Sequence, residues 1–265
     1  MSSSSLPIAL TRAVSPALAA CELTHLRREP IDVARATAQH AAYERCLADL
    51  GCEVIRVGGT PDAGLPDSVF IEDTALVLDE VAIALRPGAA SRRGEVAAVA
   101  AALAAFREVI HLEAPATMDG GDVLRLGRRL YVGLSTRTNA HGIDRLRALV
   151  AAFGYEVCAV PIAGCLHLKS AVTEIGDGLV LVDPGAVDPA AFEGMDRIEI
   201  DPSEPAAANA LRVGATVVMP AAHERTAERV SGRGLEVRMV DVSELARAEG
   251  GLTCCSLMVS RGHVQ

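Results

Sequence analysis

The chain has 265 residues and a formal net charge of -9, and half of its residues are hydrophobic. This composition is typical of a soluble globular protein, and the acidic balance argues against nucleic acid and anionic membranes as partners. The seven cysteines show no CxxC spacing, and the N-terminus resembles neither a signal peptide nor a membrane span. We therefore expect a cytoplasmic protein without a disulfide framework.

The predicted elements begin after a tail at residues 1–6, which we expect to be disordered. Apolar residues at helical spacing predict a helix over 32–50 that ends at Gly51, and a strand follows over 52–57. Two more helices are predicted over 92–106 and 139–153. Short strands are predicted at 155–162 and 235–242.

One pattern recurs between these elements: a polar residue, an apolar strand, a turn and a second strand. Its copies start at Asp73, Asp122, Ser170, Asn209 and Cys254, which gives a repeat of about 45 residues. Each copy reads as strand, strand, helix, strand, and the first copy would be split between the two termini. Five units that close into a ring would form an α/β propeller, with residues 1–265 as a single domain. A conventional mixed α/β sandwich is the alternative.

Two residues could carry nucleophilic chemistry. Cys254 follows the Gly pair at 250–251, where backbone can approach a ligand closely. His167 lies in an apolar stretch before the third hairpin. A cysteine and a histidine distant in sequence can pair as nucleophile and acid/base, and the histidine would lower the pKa of the thiol. A buried structural cysteine and a core histidine are the alternatives for each residue alone.

Acidic residues cluster before two of the hairpins. Asp119 flanks a Gly pair and could orient a histidine or bind a cation. Asp67, Glu72 and Asp73 stand beside apolar residues, which indicates that their loop packs inward. Acids near a core predict a cationic ligand, either a metal ion or a guanidinium group.

Two arginines end the second strands of neighbouring hairpins. Arg86 and Arg137 hold equivalent positions in their repeats, so a ring would place them at the same end. Paired guanidinium groups suit a carboxylate ligand. A solvated side chain is the alternative for either arginine alone.

Six segments carry a family resemblance. In this order, PDSVFIEDTALV, RPGAASRR, DGGDVL, VGLSTRTN, HLKS and GGLTCCS resemble dimethylarginine dimethylaminohydrolases, and IDVARATAQHAAY extends the match towards the N-terminus. Such proteins are similar to arginine deiminases and share a five-bladed ββαβ propeller, the pentein fold. The resemblance therefore implies the same ring that the repeats predict.

The resemblance also implies roles for individual residues. Cys254 would be the nucleophile, His167 the proton donor and acceptor, and Asp119 the acid that orients the histidine. The implied substrate contacts are Glu72 and Asp73 to the guanidinium, Asp67 to the α-amino group, Arg86 and Arg137 to the α-carboxylate, the Ala248 carbonyl, and the backbone of Leu23 on a lid over about 17–28. Asp119 stands where some relatives carry Glu, and Gly251 where some carry a larger residue.

The implied reaction is hydrolysis of Nω-methylated arginines to citrulline and dimethylamine or methylamine through a covalent thiouronium, without a metal or cofactor. The substrates would be asymmetric dimethylarginine and monomethylarginine, and the resemblance allows a homodimer. One alternative is an arginine deiminase that releases ammonia, and another is a non-catalytic ligand-binding relative. A zinc site at Cys254, Cys255 and His167 is a third, although adjacent cysteines make poor joint ligands.

The adjacent thiols at 254 and 255 require a choice between two candidate nucleophiles. Both are predicted to begin a strand, which would point their side chains to opposite faces. The Gly-Gly-x-x-Cys spacing and the family resemblance both favour Cys254. We expect the pocket thiol to react fastest with alkylating agents near neutral pH.

Overall fold

The computed structural model describes residues 6–59 and 64–260, so residues 1–5 of the predicted tail lie outside the described part of the chain. The strands of these ranges form five three-stranded sheets, which are the blades of an α/β propeller. The fivefold repeat predicted from the sequence is therefore confirmed.

Each blade takes its three strands from one repeat. In chain order, the strands are β1 (Ile8–Thr11), β2 (Glu53–Arg56), β3 (Ala75–Val77), β4 (Val81–Ala84), β5 (Glu108–His111), β6 (Val123–Leu126), β7 (Arg129–Leu134), β8 (Glu156–Pro161), β9 (Val172–Gly176), β10 (Leu179–Val182), β11 (Asp196–Glu199), β12 (Leu211–Val213), β13 (Thr216–Pro220), β14 (Glu236–Val240) and β15 (Leu257–Val259). The blades are β15–β1–β2, β3–β4–β5, β6–β7–β8, β9–β10–β11 and β12–β13–β14.

The middle strand of every blade pairs antiparallel with one neighbour and parallel with the other. In the blade that joins the termini, β1 is antiparallel to β15 and parallel to β2. The remaining blades repeat this arrangement, as in β4, which is antiparallel to β3 and parallel to β5. The predicted split of one repeat between the two ends of the chain is thus confirmed, and it closes the ring.

Helices connect the second and third strands of most blades. These connecting helices are α1 (Val33–Asp49), α2 (Val96–Leu103), α3 (Ala140–Val150) and α5 (Glu224–Ser231), whereas α4 (Leu168–Ala171) and α6 (Ser243–Ala246) stand between blades, before β9 and β15. The side chains of Asp32 and Asn139 cap α1 and α3 by accepting backbone N–H bonds, which satisfies donors that a helix leaves unpaired. None of the described helices is both long enough and apolar enough to cross a membrane.

The hydrophobic core lies between the blades as well as within them. Five buried clusters each join two neighbouring blades, and one of them packs Leu10, Ile71, Ala82 and Leu103 together across the β1 and β4 sheets. Because every blade buries apolar surface against both neighbours, no blade can leave the ring without exposing part of the core.

The chain around Cys254 differs from the predicted strand. Residues Thr253–Cys255 form a single 3-10 turn, and β15 begins only at Leu257. The prediction that the two cysteines alternate across a strand is therefore wrong, and their separation has another cause, described below.

Candidate active site

Short helical turns deliver the candidate residues to one end of the ring. Turns at Ile71–Thr74, Gly120–Asp122, Leu168–Ala171 and Thr253–Cys255 directly precede first strands of four blades. Asp73 and Cys254 lie on two of these turns, and His167 precedes a third. Since the first strands surround the propeller axis, the turns bring side chains from different repeats together.

A cavity at this end, called here the thiol cavity, collects most of the predicted residues. Its lining comprises Glu22, Asp67, Phe70, Asp73, Arg92, Arg137, Leu166, His167, Ala248, Glu249, Gly250 and Cys254. Cys254 lines it, whereas Cys255 does not; the Cys255 thiol donates to the Gly251 carbonyl at 3.4 Å. Cys255 therefore does not share a cavity with Cys254 and His167, which argues against a zinc site formed by these three residues.

His167 is buried between two carboxylates. Its Nε2 lies 3.1 Å from Asp119 Oδ2, and its Nδ1 lies 3.8 Å from Asp73 Oδ1. Asp119 is fully buried behind the imidazole, and its Oδ1 accepts the Gly88 N–H at 2.9 Å. The shorter side chain of Asp119, noted above as a departure from some relatives, still reaches the histidine.

Three carboxylates decide the charge of His167. Burial acts to lower the pKa of the imidazole, but Asp73, the hydrogen bond to Asp119, and Asp122 together raise this pKa to about 9. Burial raises the pKa of Asp73, whereas His167 and Arg92 lower it to about 2. At neutral pH the site therefore holds an imidazolium beside the ionised carboxylate of Asp73, which suits a proton donor.

The thiol of Cys254 is in the opposite condition. Burial and the carboxylates of Glu72 and Asp73 raise the pKa of Cys254 to about 12, although the Gly251 N–H donates to its sulfur at 3.3 Å. The expectation that the histidine lowers this pKa is wrong, because burial and the two carboxylates raise it. The nucleophile candidate is therefore a neutral thiol at pH 7.

The three predicted acids separate into two groups. Asp67 and Asp73 line the thiol cavity. Glu72 is buried elsewhere: it accepts from Lys169 Nζ at 2.5 Å and from Thr253 Oγ1 at 2.8 Å. Glu72 and Lys169 line a second cavity, called here the axial cavity, which the first strands of all five blades surround.

The two predicted arginines also separate. Arg137 lines the thiol cavity, and its Nη2 donates to Thr24 Oγ1 at 3.0 Å. Arg86 is half-buried outside that lining and donates to the Ala116 carbonyl at 3.4 Å. The second arginine of the cavity is Arg92, which donates to Asp73 at 2.5 Å.

The predicted lid residue lies above the cavity without lining it. Leu23 is half-buried and packs against the core cluster that contains Ala248 and Cys254. Its neighbour Glu22 lines the cavity, and the Glu22 N–H lies 3.2 Å from both oxygens of Asp67. Ala248 lines the cavity as predicted.

The Gly pairs of both motifs are required by close packing. A Cβ at Gly121 would stand 2.6 Å from His167 Nδ1, and a Cβ at Gly250 would stand 2.0 Å from the Phe70 ring. A Cβ at Gly251 would approach Asn209 Oδ1 to 2.4 Å. Gly251, noted above as a departure from some relatives, is therefore required here because the Asn209 side chain occupies the space that a Cβ would need.

Sequence reasoning missed three residues that hold the site together. Arg92 is buried and joins Asp73 to Glu95. Asn209 holds the turn of Cys254, since its Oδ1 accepts the Thr253 N–H and its Nδ2 donates to Thr253 Oγ1, both at 3.1 Å. Glu249 contacts the lid. The available signals were weak: Arg92 stands in the RPGAASRR segment, and Asn209 starts a repeat.

Ligand atoms of Asp73, Asp119 and His167 lie within 4.8 Å of one another, a spacing that could hold a metal ion. A metal would have to displace the proton of an imidazole whose pKa is raised to about 9, because only the neutral ring ligates. These residues fit a proton-transfer role more readily than a metal site.

The comparisons with known proteins point to one family of hydrolases. The model of the family "N,N dimethylarginine dimethylhydrolase, eukaryotic" matches residues 23–197. The chain is 41% identical to an N(G),N(G)-dimethylarginine dimethylaminohydrolase of Streptomyces coelicolor, over 94% of this chain and 95% of the relative. It is 37% identical to the Pseudomonas aeruginosa enzyme of that name, over 85% of this chain and 89% of the relative.

A solved structure gives the same result at the level of the fold. The dimethylarginine dimethylaminohydrolase of Pseudomonas aeruginosa, a mutant in complex with citrulline, superposes with a TM-score of 0.91 at 34% identity and covers 96% of this chain and 99% of that one. Fold and site together define the pentein class of α/β propellers. Within that class, the chain belongs to the dimethylarginine dimethylaminohydrolase family of hydrolases.

Proposed function

We propose that the chain hydrolyses Nω-methylated arginines, asymmetric dimethylarginine and monomethylarginine, to citrulline and dimethylamine or methylamine. The observation that carries this proposal is the thiol cavity, where Cys254 and His167 share one lining with four acids and two arginines. The citrulline bound by the Pseudomonas aeruginosa relative supports citrulline as the product.

The charges of the cavity suit a substrate with two unlike ends. Asp73 would hold the guanidinium group, and Asp67 would take the α-amino group. Arg137 would hold the α-carboxylate, for which a planar guanidinium is well shaped. Arg92 lines the same cavity but is already bonded to Asp73 and Glu95, so Arg86 would be the second arginine for that carboxylate and would act from outside the described lining. Leu23 and Ala248 would contribute backbone carbonyls.

Because the pKa of Cys254 is raised, we expect that binding of the cationic substrate promotes ionisation of the thiol. Burial and two carboxylates hold the free thiol neutral, with its pKa at about 12. A guanidinium cation placed beside Asp73 would offset that negative charge and lower the thiol pKa, because an opposite charge within about 4–6 Å favours the ionised form. Ionisation of the nucleophile would then accompany binding of the cation.

The proposed reaction proceeds in two balanced steps. The Cys254 thiol loses its proton to solvent as the cation binds, and the thiolate attacks the guanidinium carbon to form the carbon–sulfur bond. Protonated His167 donates to the methylated amine as its carbon–nitrogen bond breaks, which leaves a thiouronium on sulfur. Water then attacks that carbon and gives one proton to His167; the carbon–sulfur bond breaks, the second water proton restores the Cys254 thiol, and citrulline is released. Asp119 would fix the ring through Nε2, so that Nδ1 exchanges the proton.

The experiment that tests this proposal measures citrulline and the released amine with arginine, monomethylarginine and both dimethylarginines. Release of methylamine and dimethylamine at kcat/KM at least tenfold above that for ammonia release from arginine is the expected result. A preference for arginine would favour the arginine deiminase reading. Binding of all four without citrulline would favour a non-catalytic relative.

We further propose that residues 1–265 act as one catalytic unit in the cytoplasm. All seven cysteines are unpaired, which supports a reducing compartment. The resemblance also allows a homodimer, and light scattering of the purified protein would test whether it forms.

A further inference from the structure

Glu249 adopts a backbone conformation that glutamate rarely accepts. Its φ is 58°, and in the described part of the chain only Ala206, with φ 66°, shares this left-handed region among non-glycine residues. Such a conformation is sterically costly for a side chain with a Cβ. Gly250 follows directly, so the chain has glycine nearby yet keeps glutamate at this position. We therefore expect that the side chain of Glu249 has a function that offsets the cost of this backbone conformation.

The carboxylate of Glu249 gathers three consecutive backbone donors of the lid. It accepts the N–H of Thr24 at 2.9 and 3.0 Å, that of His25 at 2.6 Å and that of Leu26 at 2.5 Å. Successive N–H groups that converge in this way form an anion-binding nest. Hydrogen bonds to an ionised acceptor are about twice as strong as neutral ones. One carboxylate thus fixes a whole turn of the lid.

Ser91 Oγ donates to the Glu22 carboxylate of the lid at 2.5 Å, and two further lid anchors involve groups that a substrate would need. The Glu22 N–H is bound to Asp67, and Thr24 Oγ1 is bound to Arg137. Under the proposed function, the α-amino group would compete for Asp67 and the α-carboxylate for Arg137. Glu249 has no such role, although it lines the cavity beside Ala248. Its bonds to the lid can persist while the other two are exchanged.

We propose that Glu249 is a positioning residue that latches the lid over the thiol cavity while substrate replaces the lid contacts to Asp67 and Arg137. The proposal rests on the proposed function for its kinetic consequence but not for its structural one. The left-handed backbone aims the carboxylate at the lid, and the latch holds Leu23 within reach of the substrate. The latch also restricts access of bulk water to the cavity.

The test replaces Glu249 by Gly, which removes the carboxylate and relieves the backbone at the same time. A latch predicts opposite effects on activity and stability: KM for the methylated arginine rises at least tenfold, while Tm stays equal to that of the wild type or rises. Amide hydrogen exchange at residues 24–26 should accelerate at least tenfold. The matched control is Ala206→Gly, which relieves the same kind of backbone conformation at an exposed site and should change neither KM nor lid exchange.

Two further results separate the possible failures. Unchanged exchange at 24–26 in Glu249→Gly would overturn the latch, and so would a fall in Tm together with an unchanged KM. If Glu249→Gly does not fold, Glu249→Gln carries the tests of KM and of amide exchange, since it keeps the shape and the backbone conformation and loses the charge. Accelerated lid exchange in a protein whose wild type turns over no methylated arginine would support the latch and reject the proposed function instead.

Discussion

The two cavities on the propeller axis differ in size and in chemistry. The axial cavity has a volume of about 340 Å³ and the thiol cavity one of about 10 Å³. Strand residues surround the larger one, and four of its five charged residues form ion pairs: Arg125 with Asp79, Arg212 with Asp177, and Glu72 with Lys169. The smaller one holds the buried thiol and the imidazolium. The candidate active site is therefore identified by its reactive side chains and not by the volume of its cavity.

The wall between the cavities contributes to both. Glu72 and Lys169 form a buried ion pair on the axial side, and Thr253 joins Glu72 to the turn of Cys254. Glu72 also helps to raise the pKa of the thiol across this wall. The axial side therefore tunes the nucleophile without presenting a reacting group, and the following predictions test that division.

The largest expected effect concerns Arg137, one of the two arginines that line the thiol cavity. Arg137→Ala should weaken binding of a methylated arginine by about 2–5 kcal/mol, because a charged partner of the carboxylate is lost. A methylated guanidine without a carboxylate should lose far less. Arg86→Ala is the matched control, and its loss should be smaller, since Arg86 contacts the Ala116 carbonyl outside the cavity. Equal losses for both ligand types would contradict a carboxylate role for Arg137.

A second effect appears in the pH dependence of unfolding. The folded-state pKa of His167 is raised from 6.5 to about 9, so the protonated ring stabilises the folded protein. This contribution, about 3 kcal/mol, is complete below pH 6.5 and is lost as pH rises through 9. Denaturant titrations between pH 6 and 9.5 give the free energy of unfolding of wild type and of His167→Gln at each pH. The contribution of His167 is the difference between the two plots of this free energy against pH. Parallel slopes would show that the ring is neutral in the folded protein.

The smallest expected effect comes from filling the axial cavity. Leu211→Phe adds volume to the axial lining and should change kcat/KM less than twofold. Leu166→Phe makes the same substitution in the thiol cavity and should reduce kcat/KM at least tenfold, because little free volume remains there. A similar loss from both variants would mean that the axial cavity takes part in turnover.

The fold was predictable because its signals are local. Hairpin and helix patterns recur every 45 residues or so, and they specify blades before any contact between blades is known. Cys254, His167, Asp67, Asp73 and Arg137 lie together as the family resemblance implied. Cys254, His167, Asp67 and Asp73 stand close to repeat boundaries and Arg137 follows the second strand of its hairpin, positions that a ring brings to the same end.

The missed features depend on packing between blades, which sequence patterns do not specify. Arg86 and Arg92 belong to one short segment, and only the folded loop decides that Arg92 reaches the cavity. The 3-10 turn at Thr253–Cys255 replaces a predicted strand because Asn209 of another blade binds Thr253. The direction of the Cys254 pKa shift follows from burial beside Glu72 and Asp73, and the thiol alone does not reveal it.

The central claim is that Cys254, and not its neighbour Cys255, attacks the substrate. The direct measurement is citrulline formation by purified Cys254→Ser and Cys255→Ser, with intact-protein mass spectrometry during wild-type turnover. Cys254→Ser should form no citrulline, whereas Cys255→Ser should keep most of the activity and lose at most some stability. Peptide mapping of any trapped adduct should place it on Cys254. Citrulline formation by Cys254→Ser, or an adduct on Cys255, would contradict the proposed mechanism.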